Sequence, residues 1–171
     1  STLRDLHAQK AETLPLASWK DNLGNQMFLL EDSDLRNSYG DIIGKIAASH
    51  GTTIDRMMHL LGTDLIGAPG FLPSHWTIDP IKLGCLMRAV DAIDVDDSRA
   101  PSLLFTLRKP SGISKEHWTF QNKLNQPTVK GSRILFTSKS PFGIEESDSW
   151  WLCFDTLRMI DSELKRVDSF L

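Results

Sequence analysis

Between Leu86 and Pro101 the chain runs Leu-Met-Arg-Ala-Val-Asp-Ala-Ile-Asp-Val-Asp-Asp-Ser-Arg-Ala-Pro, which sets acidic residues inside an apolar helical pattern. Three, four or seven positions from Asp91 stand Gly84, Met87, Arg88 and Val95. Its carboxylate is therefore expected to lie among groups that mostly cannot solvate it. An acid placed there needs a partner: a metal ion, the guanidinium of Arg88 one turn back, or a histidine from another helix.

The 171 residues suffice for one domain, or one domain with an appendage, built around a core of its own. A net charge of −3, with no basic stripe interleaved with aromatics, does not point to nucleic acid as a partner. Cys85 and Cys153 both fall within apolar helical patterns, as reduced packing residues of a cytoplasmic protein do. No apolar run approaches the ~20 residues of a membrane span. The N-terminus lacks the charged-then-apolar layout of a signal peptide. The expectation is a soluble, cytoplasmic protein with no membrane partner. The chain opens on Ser1 and closes inside a helical pattern at Leu171, so it is expected to be a piece of a longer polypeptide.

Residues 1–34 carry a weak helical signal in Leu3, Leu6 and Ala11 and then an irregular stretch around Trp19 and Gly24. From Leu35 the pattern sharpens. Leu35, Tyr39, Ile42, Ile43, Ile46 and Ala47 share one helical face, with Asp32 or Ser33 as N-cap and Gly51 as the stop, and His50 falls on the same face. A second helix runs from Thr53 to about Leu61 and ends at Gly62. Thr63 to Asp79 contains Gly67, Pro69, Gly70 and Pro73 and is expected to be a long loop. Loops of that length are more often functional than accidental. His75 and Trp76 near its end suggest a pocket lip or a clamp onto the core.

Asp79-Pro80 then supplies an N-cap and a first-turn proline for the helix of Asp91. Apolar residues lie all round that helix, from Ile81 through Leu83, Cys85, Leu86, Met87, Ala89 and Val90 to Ile93. Such a pattern predicts a central helix surrounded by others.

After Ser102 the alternation of Leu103, Phe105 and Leu107, and the short runs 117–123 and 133–137, predict a small antiparallel meander over 102–140. Beyond 141, Trp150, Phe154, Leu157, Ile160, Leu164, Val167 and Leu171 repeat at three and four, which predicts a long helix anchored by Trp150-Trp151. The organisation read from the sequence is thus an N-terminal segment (1–34), a helical core (35–101), a β-meander (102–140) and a C-terminal helix (141–171). The fold class is mainly α.

The chemistry on offer is His50 with Asp91, ordinary ligands for a divalent ion. Two ligands are too few for a metal site, and such a pair is more often an internal hydrogen bond or salt bridge. His59 fits packing or surface, and His117-Trp118 fits the meander. Gly112 and Gly131 fit turns and not phosphate cradles.

Arg88-Ala-Val-Asp91-Ala-Ile-Asp94-Val-Asp-Asp-Ser98-Arg99-Ala-Pro101 resembles the R-L-A-D-x-L-D-x-x-x-S-R-x-P segment near the end of HD-superfamily metal-dependent phosphohydrolases. Ile46-Ala-Ala-Ser-His50-Gly51 resembles the I-A-x-x-H-H or I-A-x-x-H-G helix end that precedes it in those helical domains. Residues 114–118 and 160–171 resemble a subgroup in which the HD domain stands ahead of a GHKL-type ATPase. The resemblance covers about 35–171.

It implies that Asp91 closes a metal site holding Mn, Fe, Ni, Mg or Zn, and that His50 is a second-metal or phosphate ligand. Arg88, Asp94 and Arg99 would border the pocket. The departure is that no His-Asp dipeptide, the pair that names the family, occurs in this chain. Either the dyad lies outside it or this is a degenerate member. The resemblance then implies an HD-type domain that is non-catalytic by itself, a sensor or adaptor coupled to other segments of its polypeptide or to an ATPase. The alternative is a divalent-metal phosphohydrolase acting on a nucleotide or phosphate ester, with the dyad supplied from outside.

Overall fold

The computed structural model describes residues 2–100 and 102–171, with side chains from 6 to 100 and from 105 to 171. Pro101, and the side chains of Leu3 and Leu103 that entered the sequence pattern, lie outside the described residues. Seven α-helices among the described residues make the chain mainly α, and the β structure consists of three two-stranded antiparallel sheets. The chain divides into two compact units, one ending at Arg88 and including Phe170–Leu171, the other spanning Ala89–Ser169.

The first unit begins with α1 (Thr2–Thr13), a 3₁₀ turn (Leu14–Leu16) and a hairpin of β1 (Ser18–Lys20) and β2 (Gln26–Phe28), in register Trp19 to Met27. The segment expected to be irregular is therefore ordered by local chemistry. Asp21 Oδ1 accepts from the amides of Leu23 and Asn25 at 2.8 Å each, and Gly24 takes φ 86°, the division of labour expected of an Asx turn.

Next comes α2 (Ser33–Ser49), capped by Asp32, whose Oδ1 accepts from the amides of Asp34 and Leu35 at 2.9 Å. Its buried residues are Tyr39, Gly40, Gly44, Ala48 and Ser49, a face rotated from the one that the large apolar residues predict. Leu35 and Ile43 are more than a third exposed. The reason is backbone approach. A β-carbon at Gly40 would run into the side chain of Leu16, and one at Gly44 into the carbonyl of Glu12. Small residues let α1 and the following turn press directly onto α2.

Thr53 caps α3 (Ile54–Leu61) through the amide of Arg56, and Gly62 ends it at φ 69°. The loop that follows is gathered by β3 (Ile66–Gly67) and β4 (Thr77–Ile78). Asp79 Oδ1 accepts from the amide of Lys82 at 3.0 Å, and Pro80 opens α4 (Pro80–Ile93), as the sequence predicts.

The expected burial of α4 on all sides is not found. Gly84, Cys85 and Arg88 are buried, while Leu83, Leu86, Met87 and Val90 are between 40 % and 60 % exposed. Contact again runs through a small residue: a β-carbon at Gly84 would stand 2.8 Å from Leu61 Cδ1 and 3.0 Å from Met57 Sδ.

The second unit holds a 3₁₀ turn (Asp97–Arg99), α5 (Ser102–Arg108), α6 (Ile113–Lys123), the hairpin β5 (Thr128–Lys130) and β6 (Arg133–Leu135), a 3₁₀ turn (Ile144–Glu146) and α7 (Ser147–Asp168). The meander expected over 102–140 is corrected to two helices and one hairpin. Short apolar runs fit either period, and tertiary burial decides. Phe120, fully buried, joins Val95, Leu124, Cys153 and Ile160 in the core, with Phe136, Phe142, Leu157 and Leu164 packed against it.

The long last helix is present, but its buried positions are Ser149, Cys153, Ile160 and Val167. Trp150 and Trp151 do not anchor it. Both are exposed, with Trp150 stacked on Phe154 at 5.8 Å. Among the described residues no helix is long and apolar enough to cross a membrane.

Candidate functional site

The segment singled out by sequence begins with Arg88, the last residue of the first unit. Its guanidinium is buried, and Nη1 donates to the carbonyls of Ser49 at 2.8 Å and Thr52 at 2.5 Å. Carbonyls at a helix C-terminus have no intrahelical donor, and a cation there also meets the negative end of the helix dipole. Arg88 thus fastens α4 to the end of α2 and organises the backbone on which His50 sits.

His50 is the C-cap of α2 and is half-buried. Its Nδ1 lies 2.5 Å from the carbonyl of Ala47. A carbonyl only accepts, so Nδ1 is the donor in this contact. The ring of His7, from α1, meets it edge to face with centroids 5.5 Å apart. His59 is exposed on the last turn of α3, and His117 packs beside Phe120 at 5.4 Å within α6.

In the second unit Asp91 is not desolvated. Its side chain is 46 % exposed and its Oδ1 lies 3.9 Å from Arg99 Nη2, while Arg99 Nε reaches Asp94 Oδ2 at 3.1 Å. Among the described residues the ion-pair partner of Asp91 is neither Arg88 nor a histidine. The acid shares with Asp94 a guanidinium eight residues further on. The helix breaks after Ile93 and the 3₁₀ turn carries Arg99 back beside both acids, a return that helical periodicity cannot anticipate.

The same turn is held from within. Asp96, buried, accepts from the amide of Ser98 at 2.8 Å; Asn122 donates to the carbonyl of Ala100 at 3.2 Å; and Lys139 bonds Asp97 at 2.6 Å. Hydrogen bonding and charge from Lys139 hold the Asp97 carboxyl below the usual carboxylate range.

Chemically, Arg88, Asp94, Asp96, Asp97 and Arg99 form the framework of a helix end and turn. The structure brings Asp91, Asp94 and Arg99 together; His50 belongs to the other unit. Among the described residues no three His, Cys, Asp or Glu side chains gather as a metal site. An ion needs three or four converging donors, and the described residues do not by themselves assemble that many. Cys85 and Cys153 are buried and not joined in a disulfide, and burial pushes the Cys153 thiol up.

The cavity under the β3–β4 loop is bordered by Trp76, one of the two residues that the sequence suggested as a pocket lip, and by Tyr39, to which the sequence assigned no such role. The usable signal was a lone tyrosine beside Gly40 on the small-residue face of α2, together with a tryptophan closing a long loop.

A family model described as HD-CE matches residues 1–166. No curated protein and no solved structure matches the chain.

Proposed function

Because the chain belongs to the HD-CE family and is an HD-type domain, we propose that by itself it is a non-catalytic sensor or adaptor module. It registers the state of its own pocket or surface and relays it through α7 to other segments of its polypeptide, a GHKL-type ATPase among them. The observation that carries this reading is the pairing of Asp91. The acid on which hydrolysis would depend is half in solvent and engaged by Arg99. A carboxylate so occupied is a poor first ligand for an ion that must also activate water.

The test is metal analysis of the purified protein, wild type against Asp91→Ala, with hydrolysis of a generic phosphate ester followed in parallel. Equal, substoichiometric Mn, Fe, Ni and Zn in both proteins, with no ester cleavage above background, is the expected result. Stoichiometric metal in the wild type that disappears in Asp91→Ala would overturn the reading in favour of the phosphohydrolase.

A further inference from the structure

Within the first unit, the loop between β3 and β4 folds back over α2 and encloses an open cavity of about 380 Å³, lined by Tyr39, Leu72, Trp76, Thr77 and Ile78. Its wall is built by backbone bonds. The Ala68 amide donates to the Trp76 carbonyl at 3.0 Å, Leu72 to Pro69 at 2.9 Å and Trp76 to Pro73 at 2.9 Å. Two strand pairs, Ile66 with Ile78 and Gly67 with Thr77, close the base of the loop. The space is therefore present before anything enters it, within the size range of small-molecule sites and at its small end.

Three features of the lining define what fits. Among the described residues no charged side chain borders the cavity, so a charged ligand would lose hydration without a counter-ion. Trp76, which a structural role would clamp onto the core, is 54 % exposed and offers its ring. Tyr39 is the third. It is only 8 % exposed, yet its hydroxyl has no hydrogen-bond partner among the described residues, where no fully enclosed side-chain polar atom lacks one. Its oxygen must meet solvent, and the cavity is the space that Tyr39 borders. A buried tyrosine ordinarily finds a partner for that group.

We infer that this cavity binds a small, neutral, bicyclic heteroaromatic molecule that stacks on Trp76 and hydrogen-bonds to the Tyr39 hydroxyl. The inference supplies a ligand for the sensor reading and rests on that reading only for what binding would signal.

Benzimidazole is a suitable probe, titrated into the whole chain and followed by the indole Nε1–H resonance of Trp76 in ¹H–¹⁵N spectra. Saturable displacement of that resonance is expected. Tyr39→Phe, which keeps the ring, should weaken binding about three- to tenfold, and Trp76→Ala should weaken it about tenfold or more. Benzimidazole-5-carboxylate should bind about tenfold more weakly than benzimidazole. No saturable change at Trp76, equal affinity in Tyr39→Phe and wild type, or equal affinity for the carboxylate would each overturn the inference. The metal analysis above fails or succeeds independently. Metal lost in Asp91→Ala would remove the adaptor reading and leave the cavity site standing, whereas an inert cavity would do the reverse.

Discussion

Where α2 meets α1 and the turn after it, the contact is made by Gly44 and Gly40, residues with no side chain; where α6 and the residue that follows it meet α7, it is made by Phe120, Leu124, Cys153 and Ile160. The first seam is held by distance of approach and the second by volume filled. Each is therefore broken by the opposite kind of substitution. Phe120→Ala should produce the largest effect, about 3–5 kcal/mol, because a fully buried ring leaves a cavity that its neighbours only partly fill. The loss should register in the second unit, read from amide protection along α6 and α7.

Gly44→Ala should cost about 2–3 kcal/mol, since the new methyl meets the carbonyl of Glu12 and not a flexible chain end that can turn aside. Denaturant titration with probes on α1 checks it. Gly44→Ala more stable than wild type would mean that the close approach is not what holds that seam.

Two arginines of one motif sharpen the contrast. Arg88 is buried with two carbonyls on one nitrogen, and Arg99 is half-exposed between two carboxylates. Arg88→Ala should cost about 1.5–2 kcal/mol, with Arg88→Lys recovering part of it, because charge-assisted bonds to the carbonyls of Ser49 and Thr52 are lost. Asp91→Asn should cost less than about 1 kcal/mol, as exposed ion pairs do. Thermal melts of the three variants give the ranking. An Asp91→Asn loss equal to that of Arg88→Ala would indicate that the acid is structurally central after all.

What the sequence made legible follows from how local each signal is. Asp32, Thr53, Asp79-Pro80 and Gly62 act within a few residues, and the ends that they mark agree with α2, α3 and α4. The HD kinship was legible in Arg88 to Pro101 and in Ile46 to Gly51, and the family match bears it out. The buried faces were not. Periodicity ranks side chains by hydrophobicity, whereas α2 and α4 pack through Gly40, Gly44 and Gly84, to which hydrophobicity assigns no role. The placement of Asp91 failed for a related reason. Its partner Arg99 lies beyond a helix break, and neither helical neighbours nor burial counts describe a chain that has turned back on itself. The α5–α6 region was misread because alternation over five residues cannot be told from a helix turn until Phe120 is given something to pack against.

The smallest predicted effect concerns acid, and it again separates the two regions. In the second unit, Lys139 on Asp97 and Lys123 on Glu146 tie together segments far apart in sequence, and both carboxyls are held below their ordinary values, chiefly by hydrogen bonds from those lysines. In the first unit the depressed acid is Asp21, whose partners are residues of its own turn, Asn25 first. A depressed carboxyl contributes stability that is complete above its unfolded-state value and is lost as pH falls through the folded one. The window therefore opens near 4.5 for Glu146 and 3.8 for Asp97 and extends downward. All three acids lie in contact with solvent, so the effect is modest. Amide exchange corrected for intrinsic pH dependence reads it. Protection of the Lys139 amide, which donates to the Lys123 carbonyl at 2.9 Å, should fall between neutral pH and the acid side of that window. The amides of α2, remote in sequence from either pair, should hold their protection over the same range. If α2 lost protection first, the acid-sensitive element would be the glycine seam of the first unit and not the lysine ties of the second.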